Sequence, residues 1–226
     1  MSNLQIALAA VLVLGVITMA CPQQPPVDGA GPEMIDLPPP LTDGTISVEA
    51  AIQARRSVRR FTSEPLGTEQ VGQLAWAAQG ITEAGRGLRA TPSAGATYPL
   101  EIYVITADGA WSYRPREHAL APHIPGDIRE RLAQAALGQD CVRTAPLIIA
   151  VTAIYERTAG RYGDRAQRYV HMEVGHLAQN VHLQAVAMGL GSVPVGAFDP
   201  GALSDCLRLP DEQVPLYLIP VGHPAG

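Results

Sequence analysis

The chain contains 226 residues, of which 47% are hydrophobic and 16% are charged, so it is long and apolar enough to form one large folded domain. The formal net charge is -5 and there is no basic tail, which argues against nucleic-acid binding because that function needs clustered cations to neutralise phosphates. All 16 residues counted as Lys or Arg are arginines. The three cysteines, Cys21, Cys141 and Cys206, form no CxxC pair, so neither a structural zinc site nor a disulfide framework is expected.

The first residues carry a targeting pattern. Residues 4–20 form an uncharged apolar run of about 17 residues, the lower limit for crossing a bilayer. A small residue before Cys21 resembles a bacterial lipoprotein cleavage site, although residues 1–5 lack the usual Lys or Arg. We predict that residues 1–21 are a signal peptide or membrane anchor with a lipidation site at Cys21, and that the protein is exported, either membrane-anchored or periplasmic or extracellular. An uncleaved anchor, an ordinary signal peptide and a buried core helix remain the alternatives.

Residues 22–44 differ in composition from the rest of the chain. Proline and glycine dominate, and no apolar period is visible. This composition predicts an extended, semi-rigid spacer. The folded domain is therefore predicted to span residues 45–226 and to be held away from a membrane.

The predicted elements of this domain mix helices and strands. Ser47 is the predicted cap of a helix over residues 48–55, and Thr68 is the predicted cap of a second helix that Gly80 ends. Apolar spacing predicts a long helix over residues 166–188, and two more helices begin at Asp127 and at Asp199-Pro200, with Asp199 as the cap. Apolar runs predict strands over residues 102–106, 111–113, 146–155, 192–198 and 216–221, the first two joined by the hairpin signal Asp108-Gly109. The order is not a regular βαβ alternation, so the predicted fold class is α+β.

An arginine-rich segment follows the first predicted helix. Residues 55–61 read RRSVRRF and place four arginines within six positions. Guanidinium groups bind a phosphate dianion through paired donors, and Ser57 adds a further donor. The alternative is a solvated basic turn, or a helix C-terminus that favours cations.

Two further segments combine small residues with glycine. Residues 91–99 read TPSAGATYP, where Gly95 would let the backbone approach a flat ligand, unless this is an ordinary loop. Residues 189–199 read GLGSVPVGAFD, in the order helix, glycine turn, strand. This order differs from a dinucleotide-binding GxGxxG segment, which follows a strand and opens a helix. Gly196 within a predicted strand indicates that something packs against the backbone.

The longest predicted helix carries His171, Glu173, His176 and His182. Glu173 and His176 form a Glu-x-x-His pair of the kind found in carboxylate di-iron sites. Such sites need a second pair, which the chain lacks. We interpret these residues as core or surface groups and predict no metal site.

In order and spacing, these segments together resemble the nitroreductase superfamily, and more narrowly its SagB/McbC-like branch of flavin dehydrogenases. The segments RRSVRRF, WAAQGIT, PSAGATYPLE, YERTAGRYGDRAQRYVHMEVGHLAQN, GSVPVGAFD and PLYLIPVGHP carry the resemblance. It implies an α+β FMN-binding fold with a mostly antiparallel central sheet flanked by helices. It also implies an intertwined homodimer.

The resemblance further implies a cofactor site. In the family, an Arg-x-Ser-x-Arg/Lys segment binds the FMN phosphate and ribityl chain, and a Pro-Ser-x-Gly loop reaches the flavin from the partner subunit. The helix-to-strand glycine segment lies over the flavin ring and presents backbone N–H groups near N5 and O4. In this chain these roles fall on Arg55, Ser57 and Arg59 with Arg56 adjacent, on Ser93, Ala94 and Gly95, and on Val195, Gly196 and Ala197.

The chain departs from the family pattern at two places. Classical members often place Lys or Arg against the phosphate near the C-terminus, where this chain has His223, a weaker and pH-dependent cation. Azoline-oxidising relatives carry a Lys-Tyr pair where this chain reads Arg161-Tyr162. Arginine does not act as a general base, although Tyr162 can exchange protons, so Arg161 and Tyr162 are kept as the candidate catalytic pair.

The resemblance implies an FMN-dependent oxidoreductase. It would transfer hydride through flavin N5 from a reduced donor, with NAD(P)H as a candidate, to a nitro, quinone or other conjugated small molecule. One alternative is a SagB-type dehydrogenase acting on peptide azoline rings. The other is a catalytically silent tethered protein that binds a flavin or small molecule.

Overall fold

The structure, a computed structural model, describes residues 33–226. The helices are α1 Val48–Ala54, α2 Thr68–Gln79, α3 Arg129–Ala135, α4 Asp140–Thr144, α5 Glu156–Tyr162, α6 Ala166–Ala187 and α7 Pro200–Leu207. The strands are β1 Ile35–Asp36, β2 Ile81–Glu83, β3 Leu88–Arg89, β4 Leu100–Thr106, β5 Gly109–Arg114, β6 Ala119–Pro125, β7 Leu147–Ala153, β8 Gly191–Ser192 and β9 Val214–Gly222.

One sheet organises the described part of the chain. Its seven strands lie in the order β1-β6-β5-β4-β7-β9-β8, and every neighbouring pair is antiparallel. Strands β2 and β3 form a separate small pair. The predicted α+β class with a mostly antiparallel sheet is therefore confirmed.

The sheet is covered by helices on both faces because its interior strand β7 is apolar on both sides. On β7, Leu147, Ile149 and Val151 belong to a core shared with α2 and α6. The intervening Ile148 and Ala150 belong to a second core shared with α3, α4 and α7. This alternation follows from side chains pointing to opposite faces along a strand.

The observed N-terminal caps of three helices can be compared with the predicted ones. Ser47 caps α1 by accepting a hydrogen bond from Ala50 N at 3.1 Å, and Asp199 caps α7 by accepting from Ala202 N at 2.8 Å. Both caps agree with the sequence analysis. Helix α2 begins at Thr68 with Gly67 as its cap, so Thr68 is the first helical residue and not the cap.

The residues before α1 differ from the predicted spacer. Strand β1 pairs with β6, and Leu37 is buried in the core beneath α2. The Gln73 side chain accepts from Leu41 N at 2.8 Å and donates to Leu41 O at 3.0 Å, which replaces a strand partner. Residues 33–44 therefore pack onto the domain, whereas their composition assigned them to the spacer.

The predicted strand over residues 192–198 is much shorter in the structure. Only Gly191–Ser192 form a strand, followed by a single bridge between Val195 and Leu218. Val193 N and Val195 N still donate to Pro220 O and Leu218 O of β9, at 3.2 and 2.7 Å, so the segment stays hydrogen-bonded to the sheet beyond β8.

The predicted signal peptide or anchor, residues 1–21, and most of the spacer lie outside the described residues. Within residues 33–226, no helix combines the length and apolar character needed to cross a membrane.

Candidate functional site

The arginine segment, residues 55–61, is held between two other parts of the chain. Ser57 bridges Ser192 in parallel, and Val58 N donates to Ser192 O at 3.0 Å. At its other end Phe61 bridges Pro224. Because Val58 and Phe61 are turned inward while Ser57 and Arg59 are exposed, the segment presents its polar side chains to solvent.

The four arginines of this segment differ in their partners. Arg56 donates from one nitrogen to the carbonyls of Gln53 and Arg55, both at 2.8 Å, so it caps the C-terminal end of α1. Arg55, Arg59 and Arg60 form no salt bridge with any carboxylate of residues 33–226. Arg55 and Arg59 therefore have charge available for an anion, whereas Arg56 already has a structural role.

The glycine segment, residues 189–199, lies directly beside the arginine segment. Val195 N donates to Leu218 O at 2.7 Å, so its amide is unavailable to a ligand, and the role implied for Val195 is wrong in this respect. Gly196 and Ala197 are exposed, and their amides have no acceptor among the described residues. A Cβ at Gly196 would lie 3.1 Å from the Tyr217 ring, so the group packed against this glycine on that side is Tyr217.

His223 lies at the end of the arginine segment. Its carbonyl accepts from Thr62 N at 2.9 Å, which fixes the C-terminal residues to the segment. Its Nε2 lies 3.8 Å from a carboxylate oxygen of Glu64. The imidazole therefore has a carboxylate neighbour in addition to any role toward a phosphate.

Two groups of predicted site residues, the loop of residues 93–95 and the pair Arg161-Tyr162, are in contact in the structure. Ala94–Ala96 form one turn of 3-10 helix after Ser93, whose hydroxyl accepts from Tyr98 N at 2.9 Å. Arg161 donates to Gly95 O at 3.3 Å. A Cβ at Gly95 would lie 2.7 Å from the Tyr162 hydroxyl, so the candidate catalytic pair packs against this loop in the same chain.

Gly95 is therefore required for two reasons, its positive φ of 59° and this close approach. We expect Gly95→Ala to lower the free energy of unfolding by about 1–3 kcal/mol and to displace Arg161 and Tyr162. Gly160→Ala is the control, because Gly160 lies exposed within α5 with open space around it. That variant should gain about 0.5–1 kcal/mol. Urea denaturation measures both, and equal stabilities would contradict the assignment.

The two residues of the Glu-x-x-His pattern on α6 lie in different environments. Glu173 is buried and His176 is exposed, and no cluster of three or more metal-ligating side chains occurs within residues 33–226. Burial raises the pKa of Glu173 to about 7, while Ser93, Gln79 and Arg89 oppose this increase. A buried carboxyl that is partly protonated near neutral pH thus lies beside the Ser93 loop.

Sequence reasoning missed one buried polar contact near the arginine segment. Ser192 Oγ lies 2.8 Å from Nδ1 of His182, and both residues are buried. Helical periodicity places His182 on the inner face of α6 but does not reveal its partner, which belongs to another element.

The described residues also contain a cavity of about 940 Å³. It lies among α1, α2, α6 and the residues before α1, and the residues implied as cofactor-binding do not line it. The residues implied as cofactor-binding therefore lie outside this cavity.

A family model and several named proteins are similar in sequence to this chain. The model described as the nitroreductase family matches residues 52–223. A Methanocaldococcus jannaschii protein named as a candidate nitroreductase is 44% identical over 184 residues, covering 79% of this chain and 91% of that protein. The trifolitoxin-processing protein TfxB of Rhizobium leguminosarum bv. trifolii is 32% identical over 113 residues, covering 45% of this chain and 30% of that protein.

Solved structures share the fold. A Ralstonia eutropha crystal structure described as a candidate nitroreductase has a TM-score of 0.79 at 28% identity and covers 88% of this chain and 92% of that one. The NADPH:FMN oxidoreductase of Vibrio harveyi, solved with NAD+, has a TM-score of 0.59 at 26% identity and covers 79% of this chain and 69% of that one. The family match spans most of the chain, and the first relative is similar over nearly its full length. The chain therefore belongs to the nitroreductase family, which confirms the resemblance inferred from its sequence.

Proposed function

We propose that this protein is an FMN-dependent oxidoreductase that passes reducing equivalents from NAD(P)H to a nitro, quinone or other conjugated small molecule. One observation carries the proposal: an arginine segment with uncommitted charges is hydrogen-bonded to a glycine segment with two uncommitted amides. The similarity to an oxidoreductase named for NADPH and FMN supports the choice of cofactor and donor.

The residues present fit a flavin nucleotide. Arg55 and Arg59 lie on either side of Ser57 in the segment, and neither forms a salt bridge within residues 33–226. One guanidinium would bind the phosphate, while Ser57 and the other guanidinium would bind the polar chain toward the ring. The exposed amides of Gly196 and Ala197 supply hydrogen-bond donors for ring heteroatoms.

When bound, FMN supplies the hydride chemistry, and the protein orients it. The charges of Arg55 and Arg59 stabilise the bound anion, and the glycine segment keeps side chains away from the ring. In this proposal Tyr162 holds or exchanges a proton with a substrate, and Arg161 holds the Gly95 loop by donating to the Gly95 carbonyl.

We further propose a homodimer in which the second half of each site comes from the partner copy. Ser93, Ala94 and Gly95 form one unit with Arg161 and Tyr162, while the arginine and glycine segments form another. Two apolar residues on α1, Val48 and Ile52, are 65% and 54% exposed, which suits burial against a second copy.

A SagB-type azoline dehydrogenase is the second candidate, favoured by the partial similarity to TfxB. The presence of Arg161 where azoline-oxidising relatives carry a lysine weakens it, because arginine keeps its proton. A peptide substrate containing a thiazoline or oxazoline ring tests this candidate directly. Formation of the aromatic azole would support it.

The absorbance of the purified protein distinguishes these enzyme functions from a catalytically silent binding protein. We expect the full-length protein to be yellow, to bleach anaerobically with NADPH or NADH, and to regain colour when a quinone or nitroaromatic is added. Protein that stays yellow with every donor would indicate a flavin carrier. Colourless protein that does not take up added FMN would overturn the proposal.

We also propose that the domain is exported and tethered through its N-terminus. The uncharged apolar run of residues 4–20 and the small residue before Cys21 support this localisation. Mass spectrometry of the mature N-terminus distinguishes an acylated Cys21 from a simply cleaved chain, and an intact Met1 in a membrane-free fraction would contradict both.

A further inference from the structure

His182 and Ser192 form a buried polar contact between two elements. His182 lies in α6 and is 4% exposed, and its Nδ1 is 2.8 Å from Ser192 Oγ. Ser192 lies in β8 and is 1% exposed. A satisfied buried pair of this kind fixes the relative position of the elements that carry it.

Ser192 is also hydrogen-bonded to the arginine segment. Its carbonyl accepts from Val58 N, and it forms the parallel bridge with Ser57. The contact therefore extends from α6 through Ser192 to the middle of the arginine segment. A shift of Ser192 would move Ser57 and Val58, and with them the arginines on either side.

His182 is also close enough to Arg55 to respond to its charge. Burial, and secondly the positive charge of Arg55, lower the pKa of His182 to about 4. The neighbouring elements contribute two groups: β8 contributes the Ser192 hydroxyl, and the end of α1 contributes the Arg55 cation. At neutral pH the ring is uncharged, so it pairs with Ser192 without adding a cation beside Arg55.

We propose that His182 is a positioning residue that holds the phosphate-binding arginine segment in place through Ser192. The assignment of phosphate binding rests on the proposed function, whereas the mechanical link does not. The role belongs to the neutral ring, because protonation would place a buried cation beside the positive charge of Arg55.

The sign of the pH dependence follows from linkage. An unfolded His titrates near 6.5 and His182 in the folded protein near 4. Between these values the unfolded or detached state binds more protons, so attachment of the segment weakens as pH falls from about 6.5 toward 4.

The test uses two variants of the full chain, His182→Leu and His182→Asn. Asn places a polar atom close to the position of Nδ1 but does not titrate, whereas Leu removes the hydrogen bond. We expect His182→Leu to weaken FMN binding roughly tenfold at pH 7.5, and His182→Asn to stay within about threefold of the wild type.

Amide hydrogen exchange at Val58 in the FMN-free protein provides the second readout. We expect Val58 protection to fall in His182→Leu at pH 7.5. We expect it to fall in the wild type between pH 6.5 and 4.5, after correction for intrinsic exchange, and to change little in His182→Asn. Ser192→Ala should lower Val58 protection about as much as His182→Leu does. The double variant His182→Leu/Ser192→Ala should lower it no further than either single variant, because the same contact is lost in each case.

The outcomes separate this inference from the proposed function. The positioning role would be overturned if Val58 were as protected from exchange in His182→Leu as in the wild type. It would also be overturned if Val58 protection in His182→Asn depended on pH as it does in the wild type. If the wild type does not bind FMN but Val58 responds as expected, the positioning role stands and the flavin assignment fails.

Discussion

The double variant Arg55→Ala/Arg59→Ala is expected to lose FMN during purification. Each substitution removes a charged hydrogen-bond partner worth about 1.5–3 kcal/mol, so the pair together should raise Kd by roughly a hundredfold to ten-thousandfold. Neither arginine pairs with a carboxylate of residues 33–226, so their removal leaves no carboxylate without its partner there. Quenching of flavin fluorescence measures Kd, and thermal melting of the FMN-free protein checks the fold.

Two single variants control this experiment. Arg116→Ala removes one exposed positive charge from the turn between β5 and β6, so it reports the effect on Kd of losing a charge away from the arginine segment. Arg56→Ala removes the cation that caps α1, so it should lower stability slightly and leave Kd nearly unchanged. Full flavin retention by the double variant would count decisively against the phosphate assignment. A large loss in Arg56→Ala alone would show that Arg56 contacts the ligand after all.

Gly191→Ala is expected to abolish FMN binding by a different route. A Cβ at Gly191 would lie 2.6 Å from Cβ of Val58, which is too close for any real contact. Because the Val58 Cβ is attached to the backbone, the arginine segment must move as a whole and lose its hydrogen bond to Ser192. We expect a loss of at least about 2 kcal/mol in unfolding free energy, typical of an overpacked buried site, together with loss of bound flavin.

A second substitution can restore the space. Val58→Gly removes all three Val58 side-chain atoms that approach Gly191, so Gly191→Ala/Val58→Gly should bind FMN better than Gly191→Ala alone. Val58→Gly by itself controls for the flexibility that glycine adds. Isothermal titration with FMN measures the three variants. No recovery in the double variant would indicate that Gly191 serves another purpose, such as its pairing with Gly222 in the sheet.

Much of the fold is encoded in local signals that the sequence displays directly. Helix α6 has apolar residues at helical spacing over its full length, and α1 and α7 begin at side chains that cap them. The hairpin of β4 and β5 follows from Asp108-Gly109 between two apolar runs. The arginine and glycine segments are recognisable because their composition is unusual and because they occur in the family's order.

Short elements and shared contacts were decided by tertiary structure. Strand β1 is two residues long, and it is held by pairing with β6, while Leu41 is held by the Gln73 side chain of α2. Neither partner is visible in the local composition, which therefore indicated a spacer. The Val195 amide, which was expected to face the flavin, donates to Leu218 O of β9. Gly95 meets Tyr162, and Ser192 meets His182, across large separations in the chain. Amino-acid pattern determines which residues are suited to a helix, a turn or an anion, because those preferences are local. Which of them share a site depends on packing between distant segments, which no local preference specifies.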